Sequence, residues 1–316
     1  MAADTPSTWL ERGTRRPGSE MDVVIEAREL TKRYGRRRGI EGASFSVRAG
    51  ETFGFLGPNG AGKTTTIRLM LGLLWPTSGS VSAFGLPPGP EVMARVGYVP
   101  GDLGLYEQMT GNALLDHLAG LQRSAPRLRG DLCSRFELSQ ADLSAPVRAY
   151  SRGMRQKLAL VQAFQHGPDL LVLDEPTEGL DPLMRERLYE LIRQTAGQGK
   201  TVFLSSHVLP EVERVCERVA MVREGRIIVE ETVASLRARA LRRMEAVLGA
   251  PIDLQSLRVE GVVEVRADGP RVTLFVRGSP VPALQALLRH PILDLVFERP
   301  RLEEIFLEHY RPEPGK

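Results

Sequence analysis

Residues 53–74 read FGFLGPNGAGKTTTIRLMLGLL, and this stretch decides the fold. Within it Gly57, Pro58, Asn59, Gly60, Ala61, Gly62, Lys63 and Thr64 satisfy the pattern GxxxxGK[ST], and Thr65 follows directly. Each position has a physical reason. The glycines let successive backbone N–H groups wrap a phosphate chain, the lysine reaches the β and γ oxygens, and the threonine hydroxyl is a ligand for Mg²⁺. Chance produces the bare pattern in about one chain of this length in a hundred. The flanks lower that further: Phe53, Phe55 and Leu56 make a strand before the loop. After it, Ile67, Met70, Leu71 and Leu74 fall at i, i+3, i+4 and i+7 of an amphipathic helix. The N-terminus of that helix places its partial positive charge under the phosphates.

Outward from this loop, short β-rich runs alternate with helical periodicity from about Val23 to about Ile228, which predicts a largely parallel sheet. Leu170, Leu171, Val172 and Leu173 form a continuous apolar run, as a central strand buried on both faces requires. It ends in Asp174 and Glu175, and ligands of open α/β sheets gather at such carboxyl ends. Asp174 suits Mg²⁺, a small hard cation held through oxygen ligands and waters. Glu175 is placed to orient and deprotonate an attacking water, a role worth on the order of 10²- to 10⁴-fold in rate. Thr201, Val202, Phe203 and Leu204 make a further strand running into His207, whose imidazole could hydrogen-bond a γ-phosphate. His117, His166, His290 and His309 read as packing residues.

From Gly97 to about Arg148 the chain lacks clear strands and looks helical, with Leu114, Leu115 and Leu118 spaced for one face. A basic helix carrying Arg237, Arg239, Arg242 and Arg243 comes before a tail of different character, beginning near Glu245. There Val263 and Val265, the turn Asp268-Gly269, and Val272, Leu274 and Val276 predict a β-hairpin. A helix from Ser279-Pro280 with Val281, Leu284 and Leu288 on one face, a strand from Ile292 to Phe297 and a helix over residues 302–310 complete a small α+β unit.

Composition sets outer bounds. A chain of 316 residues, 42% hydrophobic and 26% charged, has room for about two globular domains. No apolar run approaches the roughly 18 residues that span a bilayer, so the chain is not expected to cross a membrane by itself. The leader, with Arg12, Arg15 and Arg16, has no apolar h-region and reads as disordered over residues 1–20; Met21 is a second candidate start. Cys133 and Cys216 have no partner at metal or redox spacing and read as free thiols of a reducing compartment. A net charge of +3 is that of a solvated surface, and no nucleic-acid partner is expected. Arg36, Arg37 and Arg38 read first as a solvated loop, with attraction of nucleotide or lipid headgroups as the other reading.

The ordered set of motifs resembles the ABC ATPase family. Tyr150-Ser151-Arg152-Gly153-Met154 resembles its signature, Gly179-Leu180-Asp181 its D-loop, and Tyr34 in Thr31-Lys32-Arg33-Tyr34-Gly35 its adenine-stacking A-loop. The resemblance spans about residues 23 to 228. It implies an α/β fold: a P-loop NTPase (RecA-like) core with an antiparallel β subdomain and a helical subdomain, plus a small C-terminal α+β domain. The expected division is a nucleotide-binding domain over 21–231, its helical subdomain over about 97–165, and an accessory domain over 232–316.

The resemblance also implies two copies sandwiching two ATP molecules. Ser151, Arg152, Gly153 and Met154 of one copy would face the ATP held by Lys63, Thr64 and Thr65 of the other, and Asp181 would communicate between them. Mg²⁺ would be held by Thr64 and Asp174, and hydrolysis carried by Glu175 and His207. Two positions depart from the family pattern. Gly101, followed by Asp102, stands where the Q-loop usually has glutamine, and Arg152 replaces the first signature glycine.

The tail Arg301-Leu302-Glu303-Glu304-Ile305-Phe306-Leu307-Glu308 resembles that of daunorubicin-type and multidrug exporter ATPases. That implies an exporter subunit on the cytoplasmic face of the cell membrane, working with a separate ABC-2-like permease. Leu103, Leu105, Tyr106 and Met109 either line a groove for that permease or simply pack helices. The alternatives are an ABC ATPase that does no transport and a nucleotide-binding regulator.

Overall fold

The structure is a computed structural model describing residues 23–298, apart from 36, 123 and 240. The leader, Arg36 and the tail expected to be helical over 302–310 lie outside the described residues.

Strands β1 (Val23–Tyr34) and β2 (Arg37–Arg48) form an antiparallel hairpin, followed by β3 (Thr52–Leu56), α1 (Lys63–Met70) and β4 (Ser78–Ala83). Sheet β2-β1-β4 is antiparallel throughout. Next come α2 (Pro90–Met93), β5 (Val96–Val99) and four helices, α3 (Gly111–Gln122), α4 (Arg129–Arg135), α5 (Gln140–Ser144) and α6 (Arg152–Phe164). The chain then returns to the sheet with β6 (Leu170–Asp174), α7 (Pro182–Gly197), β7 (Thr201–Ser206), α8 (Leu209–Val215), β8 (Arg218–Arg223) and β9 (Arg226–Thr232). The resulting six-stranded sheet has the order β5-β6-β7-β3-β8-β9, parallel except for β9.

Every residue of β3, β6 and β7 is buried, because the sheet is covered on both faces. One face packs on sheet β2-β1-β4 and α1, where Phe45, Phe53, Phe55 and Phe203 stack with ring centroids 5.4 to 6.1 Å apart. The other face packs on the helices, with Leu158, Leu160, Leu173, Leu188 and Leu204 fully or almost fully buried. Because β3, β6 and β7 run parallel, Leu56, Asp174 and Ser206 end at one edge, and the loops that follow converge there.

Gly97, Tyr98 and Val99 are strand rather than the start of a helical insertion: they belong to β5, paired with Gly97 opposite Leu171 on β6. A four-residue apolar run carries no period that separates it from a helix segment. Its glycine is required by a close approach, since a Cβ there would lie 2.1 Å from the Ala163 carbonyl oxygen of α6.

Helix α9 (Val233–Arg239) buries Val233 and Leu236 against the helical face. Arg242 and Arg243 do not continue it. They begin β10 (Arg242–Leu248), which pairs with β12 (Arg271–Val276) and β13 (Ile292–Phe297) in the sheet β11-β12-β10-β13, where β11 is Val262–Asp268. Cross-strand burial of Met244, Ala246 and Leu248 outweighs the helical preference of the arginines. Helix α10 (Val281–Leu287) turns Ala283, Ala286 and Leu287 onto that sheet; of Val281, Leu284 and Leu288, expected on one face, Leu284 packs against this core while Val281 and Leu288 are 52% and 70% exposed. That face seats the two alanines and Leu287 against the sheet and leaves Val281 and Leu288 outward.

Candidate functional site

The loop between β3 and α1 depends on three glycines for three different reasons. A Cβ on Gly57 would lie 2.4 Å from the Val222 carbonyl oxygen, and one on Gly62 would lie 2.4 Å from that of Gly39. Gly60 has open space around it but holds φ 81°, while Gly62, the N-cap of α1, holds φ 110°. The loop is tied to its surroundings by Gly225 N–H donating to the Ala61 carbonyl at 2.9 Å. Asn59, Gly60, Lys63, Thr64 and Thr65 of the loop and α1 face Tyr34 across a cleft of about 320 Å³.

Lys63 is 5% exposed and fully engaged. Its Nζ donates to the carbonyls of Gly57 at 2.7 Å and Pro58 at 3.2 Å, and pairs with Glu175 Oε1 at 3.0 Å. The other Glu175 oxygen lies 2.8 Å from His207 Nδ1. Glu175 leaves β6 with φ 51°, so its side chain turns away from that of Asp174. Lys63, Glu175 and His207 therefore form one continuous polar chain, of which Lys63 and Glu175 line the cleft.

Asp174 is fully buried and accepts from Thr64 Oγ1 at 2.9 Å and from Ser205 Oγ. Ser205 pairs with Asp174 in the β6–β7 register, a neighbour that no single-strand reading reveals. A buried carboxylate beside a threonine hydroxyl is a set of hard oxygen donors, which fits Mg²⁺. Space is left on its open side: a Cβ at Gly101 would lie 3.2 Å from Asp174 Oδ2. Burial, and then the negative charge of Asp174, push the Tyr98 hydroxyl up to about 12, so it stays protonated.

The remaining expected residues gather elsewhere. Ser151 caps α6 by accepting from Met154 N–H at 3.2 Å, and Asp181 caps α7 by accepting from Met184 N–H at 3.0 Å. Arg152 pairs with Glu178, and its stem lies over Gly179, whose Cβ would be 3.1 Å from Arg152 Cγ. Gln156 Nε2 donates to the Pro176 carbonyl at 2.8 Å, so the start of α6 is bound to the segment leaving Glu175. Asp102 lines a groove of about 280 Å³ with Leu103, Arg152, Arg155 and Glu178. Leu103, Leu105 and Met109 are partly buried on the helical core, whereas Tyr106 is exposed, edge-on to His117.

Sequence reasoning gave no role to Ser205, Gln156 or Gly39, and read Arg38 first as part of a solvated loop, whereas it lines the cleft. A glycine two residues before the partly exposed Glu41 on a strand is a weak signal, and one of the contacts that explain Gly39 is with Thr65, far along the chain.

Comparison with known proteins gives a consistent picture. Residues 40–178 match the family described as ABC transporter. The chain is 35% identical to Nod factor export ATP-binding protein I of Neorhizobium galegae, over 97% of this chain and 91% of that protein. It is likewise 35% identical to the protein of the same name from Ralstonia nicotianae, over 92% and 95% of the two chains. Among solved structures, the ATP binding subunit of an ABC transporter is similar at 31% identity and a TM-score of 0.63, over 68% of this chain and 92% of that one. A dimeric bacterial ABC transporter cassette shares the fold at 21% identity and a TM-score of 0.59, over 66% of this chain and 98% of that one.

Proposed function

This chain belongs to the ABC transporter family, and from that premise we propose that it binds and hydrolyses ATP in the cleft between Tyr34 and the phosphate loop to energise a separate membrane permease. The observation that carries the reading is the chain Lys63–Glu175–His207 beside buried Asp174. Arriving phosphates attract Lys63 and release Glu175 Oε1 from its pair, so binding the substrate frees the carboxylate that acts on water. Glu175 accepts the proton of the attacking water, the oxygen bonds to the γ-phosphorus, and the bond to the β-phosphate oxygen breaks. His207, hydrogen-bonded to Glu175, orients that carboxylate and faces the γ-phosphate. Thr64 and Asp174 would hold Mg²⁺, which supplies charge neutralisation for the phosphates when bound.

The similar proteins named for Nod factor export support an export direction, and a permease of the ABC-2 type, on the cytoplasmic face of the membrane, is the partner we infer. Among the described residues no helix is long and apolar enough to cross a membrane, so the membrane path belongs to that partner. A second copy of this chain completes each ATP site with Ser151, Arg152, Gly153 and Met154, and Asp181 lies between the sites. The separate apolar core around Met244, Leu257 and Leu274 supports an accessory domain over 232–316 beside a nucleotide-binding domain over 21–231.

The test measures phosphate release by the purified chain with ATP and Mg²⁺, alongside Lys63→Ala. Turnover by the wild type and loss of at least tenfold in affinity for ATP in Lys63→Ala are expected, since a charge-assisted phosphate contact contributes about 1.5–3 kcal/mol. Turnover unchanged in the variant overturns the assignment. Purification of the tagged chain from membranes tests the transport half: recovery without any integral membrane protein would favour an ATPase that does no transport.

A further inference from the structure

Strand β2 brings into the cleft a residue that the proposed function leaves without a role. Arg38 lines the cleft beside Tyr34, Gly39, Gly60 and Thr65. Its neighbour packs tightly against the same wall: a Cβ on Gly39 would lie 2.9 Å from both Thr65 Cγ2 and Tyr34 Cε2. Arg38 and Gly39 thus share a wall of the cleft with Tyr34 at one end and Thr65, the residue that follows Thr64, at the other, the stretch where the sugar and the first phosphate of a bound nucleotide would pass.

The charge around it is unbalanced. Arg38 faces Arg33 across the β1–β2 ladder, and like charges directly opposite repel. Both converge with Arg226 on one carboxylate. Glu41 Oε1 takes Arg33 at 2.6 Å, and Oε2 takes Arg226 at 3.1 Å and Arg38 at 3.4 Å. Arg33 and Arg226 hydrogen-bond Glu41, while Arg38 holds the longest of the three ion pairs and shares its oxygen. Hydrogen bonds from Arg33, then Arg226, hold the Glu41 carboxyl below the usual carboxylate range, so it stays charged without Arg38. Three guanidinium groups against one carboxylate leave positive charge in excess at this end of the cleft, and Arg38 is the member that lines it.

We propose that Arg38 is a further nucleotide-binding residue, which exchanges its long contact with Glu41 for the α-phosphate of the bound nucleotide while Arg33 and Arg226 keep Glu41. The inference rests on the ATP-binding reading of the same cleft and adds a second cation to it, at the opposite end of the phosphate chain from Lys63. A guanidinium suits the task, because its planar fork engages two phosphate oxygens at once, which an ammonium does not. An exposed contact of this kind is screened by salt.

The experiment titrates the full chain with mant-ATP and with mant-ADP, in Mg²⁺, at low and at high NaCl. Arg38→Ala is expected to weaken both ligands about fivefold at low salt, since both carry the α-phosphate, and the deficit shrinks to about twofold at high salt. Arg38→Lys recovers only part of the loss. Thermal unfolding of Arg38→Ala at the wild-type temperature shows that the fold is intact. Affinities for both ligands within experimental scatter of the wild type overturn the proposal, and so does a deficit that salt leaves unchanged. If the wild type itself fails to bind mant-ATP, the reading of the cleft fails; if it binds and only Lys63→Ala is impaired, the role of Arg38 alone fails.

Discussion

Glu175→Gln separates two jobs of one side chain, and the structure gives them opposite signs. The carboxylate, 14% exposed, holds Lys63 at 3.0 Å through Oε1. ATP has to displace that contact before its own phosphates reach Nζ, so the pair competes with the ligand. An ion pair screened this little contributes on the order of 1 kcal/mol to the competition, equivalent to about fivefold in affinity. Glutamine keeps the shape and the hydrogen bond to His207 but loses the charge, so the variant binds ATP about fivefold more tightly. The same substitution removes the group that takes the proton of water, and turnover falls by about 10²- to 10⁴-fold. Lys63 keeps its bonds to the Gly57 and Pro58 carbonyls, so the loop stays in place. Equilibrium binding of ATP and single-turnover phosphate release, on the same preparation, measure both. Weaker ATP binding would refute the competition, and undiminished turnover would refute Glu175 as the base.

Three further outcomes are expected. Gly62→Ala places a Cβ 2.4 Å from the Gly39 carbonyl oxygen at φ 110°, which costs on the order of 2–4 kcal/mol in denaturant unfolding and abolishes ATP binding in calorimetry. Gly111→Ala sets a methyl 2.3 Å from the Tyr150 hydroxyl, which then loses its 2.6 Å bond to the Asp142 carbonyl. Stability drops by about 1–3 kcal/mol, and because Tyr150 precedes Ser151, association of copies in ATP, read by size-exclusion chromatography, weakens as well. Burial pushes the thiols of Cys133 and Cys216 above their ordinary value of 9.0, so above about pH 9 the unfolded chain releases protons that the folded chain retains. Stability is therefore full below that pH and falls as pH rises further; a flat profile from pH 8 to 10 would contradict it, as would reaction of either thiol with a disulfide reagent in the folded state.

Where the sequence was readable, one physical constraint acted locally. Leu170 to Leu173 had to be apolar on both faces because the strand is covered on both, and the loop from Gly57 to Thr64 carries its chemistry in consecutive residues. What escaped depended on partners distant in the chain. Val96–Val99 is a strand because Leu170 lies beside it, and Arg242 and Arg243 leave the helical pattern because Phe275 and Val276 pair with them. Ser205 reaches Asp174 only through register, and Arg38 becomes a cleft residue only once Glu41 and Arg226 are folded around it. The proximity of Gly101 to Asp174 is of the same kind: no spacing rule links residues on adjoining strand ends.

The contact between Gly39 and Gly62 makes the cleft a fixed gauge. The hairpin that carries Tyr34 meets the phosphate loop backbone to backbone, with Glu41 N–H bonded to the Gly225 carbonyl at 2.7 Å and Gly225 N–H bonded on to Ala61. At this point of contact the main chains of the two jaws meet directly, so their separation there is not set by the length of a side chain. A methyl at either glycine would pry the jaws apart instead of adjusting them. On the proposed reading, selectivity for the base would be retuned at Tyr34 and the grip on the phosphates at Lys63, whereas the distance between them belongs to the main chain and is held at a tolerance that ordinary substitution does not reset.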